Sequence, residues 1–349
     1  MKLRVGVVGL RRGRIYVEVF KLLPETEVTA VCDLDRSLAE NTAQEFKVPA
    51  YFTDYRDMLD HGADVAVVCT PAPLHATQSI EAMKRGIHVL SEVPAAYTLE
   101  ECSQLAEIVE KTGVKYMMAE NYIFLPYMET ISRVVNSGLI GKPIYVEGEY
   151  VHDCRYLMKD DKGRLTWRAR LPPIQYCTHN LGPILRILGD KCRIAVGMHT
   201  GCNVAPELKA IDLEVGLFKT VKGVVVRVLN GFSVAREPML VWFAVYGTKG
   251  VVEGRRCGWD GFKLYVEGLG MGDMARIHPS TRYGAPEIPG GHGSSEYILA
   301  RGFVRSIIED FKPPIDIYEA LDYTAPGICA HLSAEMSGRP VEVPDFRKT

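Results

Sequence analysis

The sequence predicts an α/β protein with an N-terminal doubly wound parallel sheet, followed by an α+β domain with a large, mostly antiparallel open sheet. Over the first third of the chain, valine-rich runs of strand length alternate with amphipathic stretches. Continuous apolar runs are typical of parallel strands that are covered on both faces. After about residue 122 the runs become longer and alternate between apolar and polar residues, which is typical of antiparallel strands. With 349 residues, the chain also exceeds what one hydrophobic core usually supports.

In the first part, five apolar runs are predicted as strands and four amphipathic stretches as helices. The strands cover residues 4–9, 28–32, 65–69, 87–90 and 115–119, and the helices 15–23, 37–46, 76–84 and 99–111. Thr98 and Glu101 have the spacing of a capping box at the start of the last helix. Repeated strand–helix units predict right-handed crossovers and a Rossmann-type domain over residues 1–121.

Residues 122–349 are predicted to form the second domain, whose closing helices are free to pack back on the first. The helices cover 127–136, 297–310 and 316–336, and the strands 144–152, 194–199, 212–218, 223–229, 240–246 and 250–253. The segment 268–293 is rich in glycine and proline and is predicted as a long loop. Because an exposed apolar sheet face is normally buried somewhere, we expect a homodimer or homotetramer through this sheet.

The composition argues against several classes of partner. The formal net charge of −2 provides no field for nucleic acid or for an anionic membrane surface. The first strand begins at once, with no apolar leader before it, and no later stretch is long enough to span a bilayer. The nine cysteines are scattered and contain no CxxC pair. We expect a cytoplasmic protein without disulfides.

A dinucleotide fingerprint is expected between the first strand and the first helix, and the chain has a modified one there. Gly9 occupies the position of the tight turn, but Arg11 replaces the second glycine and Gly13 comes one residue early. Arg11 and Arg12 are candidates to bind phosphate at the helix start. The alternative interpretation is a glycine-rich turn that binds nothing.

Asp33 ends the second strand at about the expected distance after the glycines. A carboxylate there accepts hydrogen bonds from both ribose hydroxyls and repels a 2′-phosphate, which favours NAD over NADP. Asp33 alternatively caps the next helix, although Asp35 serves that role equally well. Arg36 and the arginines of the turn keep NADP as the less favoured option.

Two segments after the third and fourth strands carry a family resemblance. Thr70-Pro71-Ala72-Pro73-Leu74-His75 and Glu92-Val93-Pro94 are similar to the TPxxxH and EKP motifs of the Gfo/Idh/MocA oxidoreductases. The resemblance extends through Asn121-Tyr122, residues 138–143 and Thr178-His179-Asn180. It implies a Rossmann domain followed by a mostly antiparallel sheet, a sugar or cyclitol substrate, and NAD(P). It also implies that Thr70, Pro71, His75 and Asn121 line the cofactor and that Glu92 lies near the nicotinamide ribose.

The chain departs from that family at Val93, where the motif lysine would assist proton loss from the substrate hydroxyl. Segments 92–96, 117–121, 176–183, 290–295 and 341–346 resemble a branch of NAD-dependent α-N-acetylgalactosaminidases. This resemblance implies a reaction that uses NAD without net redox: a ring hydroxyl is transiently oxidised, the aglycone is eliminated, water adds and hydride returns. The leading interpretation is an NAD-dependent oxidoreductase that transfers hydride at a ring carbon of a sugar or sugar derivative, with His179 in place of the missing lysine as proton acceptor. The alternatives are this redox-neutral glycoside cleavage and a nucleotide-binding scaffold that catalyses nothing.

His179 is the first candidate for catalysis, because it lies at a predicted helix start, which favours a neutral imidazole that can act as a base. The alternative is a histidine that caps the helix and packs. Tyr176 is a second acid/base candidate, with core packing as its alternative. Tyr122 and Asn121 follow the fifth strand at an edge suited to binding substrate hydroxyls.

Two further groups of residues have both a functional and a structural interpretation. Trp167 and Arg168 are candidates to cover a sugar face by stacking and bidentate bonding, with a solvated loop as the equal alternative. Metal-ligand types occur at 152–154, 177 and 179, but none has i,i+3 or i,i+4 spacing between two strong ligands. We therefore predict no metal site.

Overall fold

The computed structural model describes residues 2–236, 240–257, 259–279 and 285–347. Backbone contacts divide the chain into two compact units. The first comprises Met1–Phe124, Tyr283–Leu321 and Phe346–Thr349, and the second comprises Leu125–Arg282 and Asp322–Asp345. None of the described helices is both long enough and apolar enough to cross a lipid bilayer.

The first unit contains a six-stranded sheet in the order β3-β2-β1-β4-β5-β6, and every neighbouring pair is parallel. Its strands are β1 (Leu3–Val8), β2 (Thr26–Cys32), β3 (Ala50–Phe52), β4 (Val65–Val68), β5 (His88–Ser91) and β6 (Tyr116–Met118). The strand order reverses between β1 and β4, which is the position where doubly wound sheets bind ligands. The predicted parallel, doubly wound sheet is confirmed.

Five helices of this unit alternate with the strands: α1 (Leu10–Leu22), α2 (Arg36–Phe46), α3 (Tyr55–Asp60), α4 (His75–Met83) and α5 (Leu99–Thr112). The capping box of Thr98 and Glu101 forms at the start of α5, as predicted. Strand β3 and helix α3 were missed, because three and six residues are too few to display a periodicity. Helix α1 begins five residues earlier than predicted, directly after Gly9.

The second unit contains a nine-stranded sheet in the order β14-β13-β12-β11-β7-β10-β9-β8-β15. All its neighbours are antiparallel except β7 and β10, so the predicted mostly antiparallel sheet is confirmed. Two helices, α6 (Pro126–Asn136) and α7 (Thr178–Leu188), belong to this unit. The strands are β7 (Pro143–Val151), β8 (Cys192–His199), β9 (Leu213–Thr220), β10 (Val225–Gly231), β11 (Val241–Gly247), β12 (Gly250–Glu253), β13 (Phe262–Val266), β14 (Ala275–Ile277) and β15 (Val341–Glu342).

Part of the segment predicted as a long loop is a strand. Strand β14 lies within residues 268–293 and pairs with β13, so the loop prediction is wrong there. Residues 280–284 of the same segment lie outside the described residues. Strand β13 and the edge strands β14 and β15 were all missed, because they are short and their alternation covers few residues.

Two helices close the chain, α8 (Ser295–Ile308) and α9 (Ile317–Glu335). Helix α8 belongs to the first unit, where it contacts α1 and the 3-10 turn Asn121–Phe124. Helix α9 continues from the first unit into the second.

Candidate functional site

The turn between β1 and α1 has room for glycine alone. Gly9 has a φ of 85°, and a Cβ added to it would lie 2.5 Å from the backbone carbon of Cys69. Gly13 lies one helical turn later, where an added Cβ would meet Val7 Cγ1 at 2.8 Å. These are the tight turn and the close helix–strand packing that a dinucleotide fingerprint requires.

The carboxylate of Asp33 lies beside this turn. Its Oδ2 accepts a hydrogen bond of 2.8 Å from the N–H of Leu10, and its Oδ1 accepts one of 3.0 Å from the N–H of Asp35. Asp35 is the residue that caps α2, through the N–H of Leu38. Each Asp33 oxygen keeps a second lone pair, so the carboxylate retains acceptor capacity for ribose hydroxyls.

The segment that contains Thr70, Pro71 and His75 is fixed by the histidine. His75 is buried, and its Nδ1 and Nε2 lie 2.8 Å from the carbonyl oxygen of Pro94 and 2.7 Å from that of Thr70. Burial lowers the pKa of His75, although both carbonyl contacts oppose this. The ring therefore ties together the backbone that follows β4 and the backbone that follows β5.

A carboxylate that the sequence analysis did not single out is the centre of a network in the first unit. Glu296 has a fully buried side chain. Its Oε1 accepts from Arg12 Nη2 at 3.0 Å and from Asn121 Nδ2 at 3.1 Å, and its Oε2 accepts from the His292 N–H at 2.9 Å. Arg12 Nε also donates to Glu92 Oε1 at 2.7 Å. Three predicted cofactor residues, Arg12, Glu92 and Asn121, thus meet in one network.

The charges of this network are mutually compensated. Burial alone would raise the pKa of Glu296, but the hydrogen bond from His292 and the charge of Arg12 outweigh it and hold that pKa far below its usual range. Burial likewise opposes the charge of Arg12, but Glu92 and Glu296 outweigh it and raise the pKa of the guanidinium. Both groups stay ionised across the physiological range.

His292 has two arrangements within this network. Its Nδ1 lies 2.7 Å from Glu296 Oε1 and 2.7 Å from Asn121 Nδ2. A protonated Nδ1 donates to Glu296, whereas an unprotonated Nδ1 accepts from Asn121. The ring of Tyr122 lies 5.6 Å from the His292 ring, centroid to centroid.

The amide oxygen of Asn121 indicates whether a cofactor fits this site. Its Oδ1 is buried and has no hydrogen-bond partner among the described residues. An acceptor in this position costs free energy unless a ligand donates to it. The glycine turn, the Asp33 carboxylate and this orphaned amide oxygen lie at the carboxyl ends of parallel strands, and all three fit NAD.

The two arginines predicted to bind phosphate differ in their surroundings. The side chain of Arg12 is held by carboxylates, and Arg11 is exposed on the first turn of α1.

A second group of chemically active side chains lies in the second unit. His179 lies on the first turn of α7, as predicted, and Tyr176 ends the 3-10 turn that precedes this helix. Their ring centroids are 5.1 Å apart, and Tyr150 on β7 lies 5.0 Å from His179. His152 Nδ1 lies 3.2 Å from the hydroxyl of Tyr150. The structure thus joins the two predicted acid/base residues and adds two that were missed.

The predicted Trp167 and Arg168 belong to this second group. The Arg168 guanidinium carbon lies 4.5 Å from the ring centroid of Trp167 and 5.7 Å from that of Tyr176. A planar cation that lies over two aromatic rings is held in one orientation. That Trp167 and Arg168 cover a sugar face stays a prediction.

Val93, at the position of the motif lysine, is buried with 2% of its surface exposed, and its side chain has no titratable group. The cation beside Glu92 is Arg12, which two carboxylates already hold. An arginine does not deprotonate in proteins, so it cannot replace a lysine in proton transfer.

The missed residues differ in how well the sequence could have revealed them. The sequence could have revealed Tyr150, because Val146, Gly148 and Tyr150 alternate along a predicted strand and therefore share one face of the sheet. In the structure this face packs against α7, where the Gly148 backbone is close to Asn180 and Ile184. The sequence could not have revealed Glu296, because nothing local in residues 290–300 shows that this carboxylate meets Arg12.

Two family models match separate parts of the chain. Residues 3–120 match the oxidoreductase family with an NAD-binding Rossmann fold, the Gfo/Idh/MocA family. Residues 199–349 match the C-terminal domain of glycosyl hydrolase 109. The first match and the geometry of the β1–α1 turn agree: the first unit contains an NAD-binding Rossmann domain.

Curated relatives and solved structures extend the match to the whole chain. A glycosyl hydrolase family 109 protein from Streptomyces filamentosus is 30% identical, with 99% of this chain and 77% of that protein covered. An α-N-acetylgalactosaminidase from Shewanella oneidensis is 27% identical, with 99% and 85% covered. Levoglucosan dehydrogenase in complex with NADH has the same fold, with a TM-score of 0.83, 20% identity, and 99% and 100% covered. This chain is an enzyme that belongs to glycosyl hydrolase family 109.

Proposed function

We propose that this enzyme hydrolyses α-linked N-acetylhexosaminides, with N-acetylgalactosaminides as the first candidates, through hydride transfer at a ring carbon without net redox change. One observation supports the proposal: the rings of Tyr176 and His179 lie 5.1 Å apart, centroid to centroid, whereas the buried Val93 has no group that can transfer a proton. The printed activity of the Shewanella oneidensis relative supports the choice of sugar. The overall reaction consumes water and the glycoside and yields a free sugar and an alcohol.

The first unit supplies the groups that would hold NAD. Gly9 would form the tight turn at the pyrophosphate, Asp33 would accept from the ribose, and Asn121 Oδ1 would accept from a donor of the cofactor. The chemistry that bound NAD would supply is reversible hydride transfer at a ring carbon of the sugar. Glu92 and Glu296 keep Arg12 oriented at the start of α1.

Tyr176 and His179 handle the protons. Oxidation of a ring C–OH requires loss of the hydroxyl proton, and the carbonyl formed makes the neighbouring C–H acidic. A base then removes that proton while an acid protonates the departing aglycone oxygen, and water adds along the reverse path. In the elimination the His179 imidazole accepts the C–H proton and the Tyr176 hydroxyl donates to the aglycone oxygen, and Tyr150 packs against both rings. The hydroxyl proton released in the oxidation passes to solvent and is taken back when the hydride returns. Arg168 and Trp167 support the sugar face beside Tyr176.

Aryl N-acetylhexosaminides with catalytic NAD provide the test. We expect aglycone release over many turnovers per NAD, with no accumulation of NADH. Stoichiometric NADH formation from free sugars would instead identify a net dehydrogenase, and NAD binding without any turnover would identify a scaffold.

Variants assign the proton-transfer groups. We expect His179→Ala and Tyr176→Phe to lower turnover by about 10²–10⁴-fold while NAD affinity is retained. Tyr318→Phe is the matched control, since it also removes one hydroxyl, which donates to Glu110 Oε1 at 2.6 Å, and it should leave turnover unchanged. If both active-site variants retain full activity, this assignment of the acid and base fails.

We further propose that a second copy of the chain covers the open face of the nine-stranded sheet. This face is the one opposite α7, and on β7 it carries Tyr145, Glu147 and Glu149. Its apolar surface includes Ile194, Val196, Met198, Val215, Leu217, Val225, Leu229, Tyr246 and Tyr265. Its charges pair internally, with Arg227 on Glu147 and Glu149, so an identical face is not repelled. Light scattering should return at least a dimer, and Leu217→Asp should dissociate it. A monomeric wild-type mass contradicts the proposal.

A further inference from the structure

A buried ion pair lies beneath the segment that leads to Tyr176. Glu214 on β9 has a fully buried side chain, and its Oε1 lies 2.8 Å from Nδ1 of His331 on α9. Neither residue belongs to the candidate site, and nothing in the local sequence pattern distinguishes them. A buried carboxylate is costly unless it is paired and hydrogen-bonded, so its remaining contact is informative.

That remaining contact is with the backbone that precedes Tyr176. Glu214 Oε2 accepts a hydrogen bond of 3.1 Å from the N–H of Ile174, in the 3-10 turn Pro173–Tyr176. Ile174 is fully buried, and its carbonyl accepts from the N–H of Cys177 at 3.1 Å. The carboxylate therefore fixes the turn whose last residue is Tyr176 and whose next helix carries His179.

Helix α9 contacts the same turn through its backbone. A Cβ added to Gly327 would lie 2.5 Å from the carbonyl oxygen of Ile174 and 2.8 Å from Cys177 Sγ. His331 lies one helical turn further along α9 and contacts the carboxylate that holds Ile174. The turn is thus located between β9 and α9, with no room for a shift toward the helix.

The other end of the turn is held by asparagines. Asn230 Nδ2 donates to the carbonyl oxygen of Tyr176 at 3.3 Å, and Asn180 Nδ2 donates to Asn230 Oδ1 at 2.9 Å. Ile174 and Tyr176 are thus both anchored through their backbones. Of these two anchors, the one at Ile174 is a carboxylate that also pairs with His331.

We infer that Glu214, held by His331, is a positioning residue for Tyr176 and His179, and that its loss lowers the rate of the reaction without changing cofactor binding. The inference rests on the proposed function of Tyr176 and His179. Acid and base groups must lie within hydrogen-bond reach of the protons that they move, and a misplacement of about 1 Å can cost 10²-fold in rate.

The chain offers a matched control for this inference. Asp212, two residues before Glu214, is also buried and accepts from backbone N–H groups, those of Asn203 and Val204, so it fixes a different loop. We expect Glu214→Ala to lower kcat by about 10- to 100-fold with KM within about twofold. Glu214→Gln keeps an acceptor for the Ile174 N–H and should restore most of kcat. Asp212→Ala should leave kcat unchanged.

Hydrogen exchange separates this inference from the proposed function. Glu214→Ala should increase amide exchange at residues 173–181, and Asp212→Ala at residues 200–205, whether or not the reaction has been identified correctly. NAD affinity should be equal in all three variants and the wild type. If the wild type releases no aglycone, the proposed function fails, while exchange still tests the anchor. If Glu214→Ala and Asp212→Ala have equal kcat, or exchange at 173–181 is unchanged, the positioning role is wrong.

Discussion

Glu296 and Arg12 are 284 positions apart in the chain, yet Oε1 of the carboxylate lies 3.0 Å from Nη2 of the guanidinium. This salt bridge ties the first turn of α8 to the first turn of α1, inside the unit that contains the NAD-binding Rossmann domain. Because Glu296 also accepts from Asn121, a single carboxylate orients two residues predicted to serve the cofactor.

Removal of this carboxylate should cost both stability and affinity. Glu296→Ala leaves the charge of Arg12 with Glu92 alone, and we expect a loss of about 3 kcal/mol, the lower end for breaking a buried pair. The lower end applies because the Arg12 side chain is 28% exposed. Since Asn121 also loses an acceptor, NAD affinity should fall by about tenfold, or about 1.4 kcal/mol. Urea unfolding and calorimetric titration with NAD measure the two effects.

A control lies on the same helix. Glu309→Ala breaks the pair of Arg305 and Glu309, in which both side chains are about half exposed. Exposed pairs contribute less than about 1 kcal/mol, so both measurements should stay near wild type. Equal effects of the two substitutions would show that Glu296 has no special place in the cofactor site.

Asp33 should determine the choice between the two nicotinamide dinucleotides. Asp33→Ala removes the carboxylate that would bind ribose hydroxyls and repel a 2′-phosphate, so the ratio of NAD to NADP affinity should fall by at least about tenfold. The variant also loses the acceptor for the Leu10 N–H. Thermal shifts titrated with each dinucleotide report both affinities.

Asp35→Ala provides the comparison for this prediction. Asp35 caps α2, so its loss should cost about 1 kcal/mol of stability and leave the affinity ratio unchanged. An unchanged ratio in Asp33→Ala would show that Asp33 only supports the glycine turn.

The sequence predicted the two sheets because their signals are long and periodic, and the glycine turn because its residues are adjacent. It also brought Tyr176 and His179 together, since they are three positions apart across a helix start. It could not reveal Glu296 or Glu214, whose partners Arg12 and His331 lie 284 and 117 positions away. A buried carboxylate looks like a surface carboxylate in sequence until the chain has folded and its partners are known.

Gly9 should tolerate no side chain. Gly9→Ala places Cβ 2.5 Å from backbone atoms of Cys69, which cannot rotate away as a side chain could. Gly86 has a similar φ of 74°, but an added Cβ there meets no described atom within 4 Å. Gly86→Ala should therefore cost only the left-handed backbone penalty of about 1–2 kcal/mol.

The difference between these two variants isolates the steric effect of the turn. Gly9→Ala should be less stable than Gly86→Ala by about 3 kcal/mol, the cost of severe overpacking, and should lose NAD binding. Chemical unfolding and NAD titration of the two proteins measure this. Comparable stability would mean that the β1–α1 turn can move away from Cys69.

The ion pair of Glu214 and His331 should make the free energy of unfolding fall as the pH rises. Burial lowers the pKa of His331, but the hydrogen bond and charge of Glu214, together with the charge of Glu335, outweigh it, so the net pKa lies above 6.5. A raised pKa means that the folded state holds this proton more tightly than the unfolded state. The stabilisation is therefore fully present below about pH 6.5 and is lost as pH rises through the folded pKa.

The difference in unfolding free energy between the wild type and His331→Gln isolates the contribution of His331, because the other titrating groups are common to both proteins. The free-energy advantage of the wild type should be largest near pH 6 and should shrink steadily towards pH 8.5, in urea unfolding at each pH. The neighbouring His199 on β8, 3.4 Å from Glu335, is the second group that could contribute, so His199→Gln is measured in parallel. Because His199 makes no described hydrogen bond to Glu214, the loss of stability caused by His331→Gln should still shrink with rising pH in the His199→Gln background. An advantage that is constant or grows with pH would show that the folded protein holds the His331 proton no more tightly than the unfolded chain, and the ionic pairing of His331 with Glu214 would then be wrong.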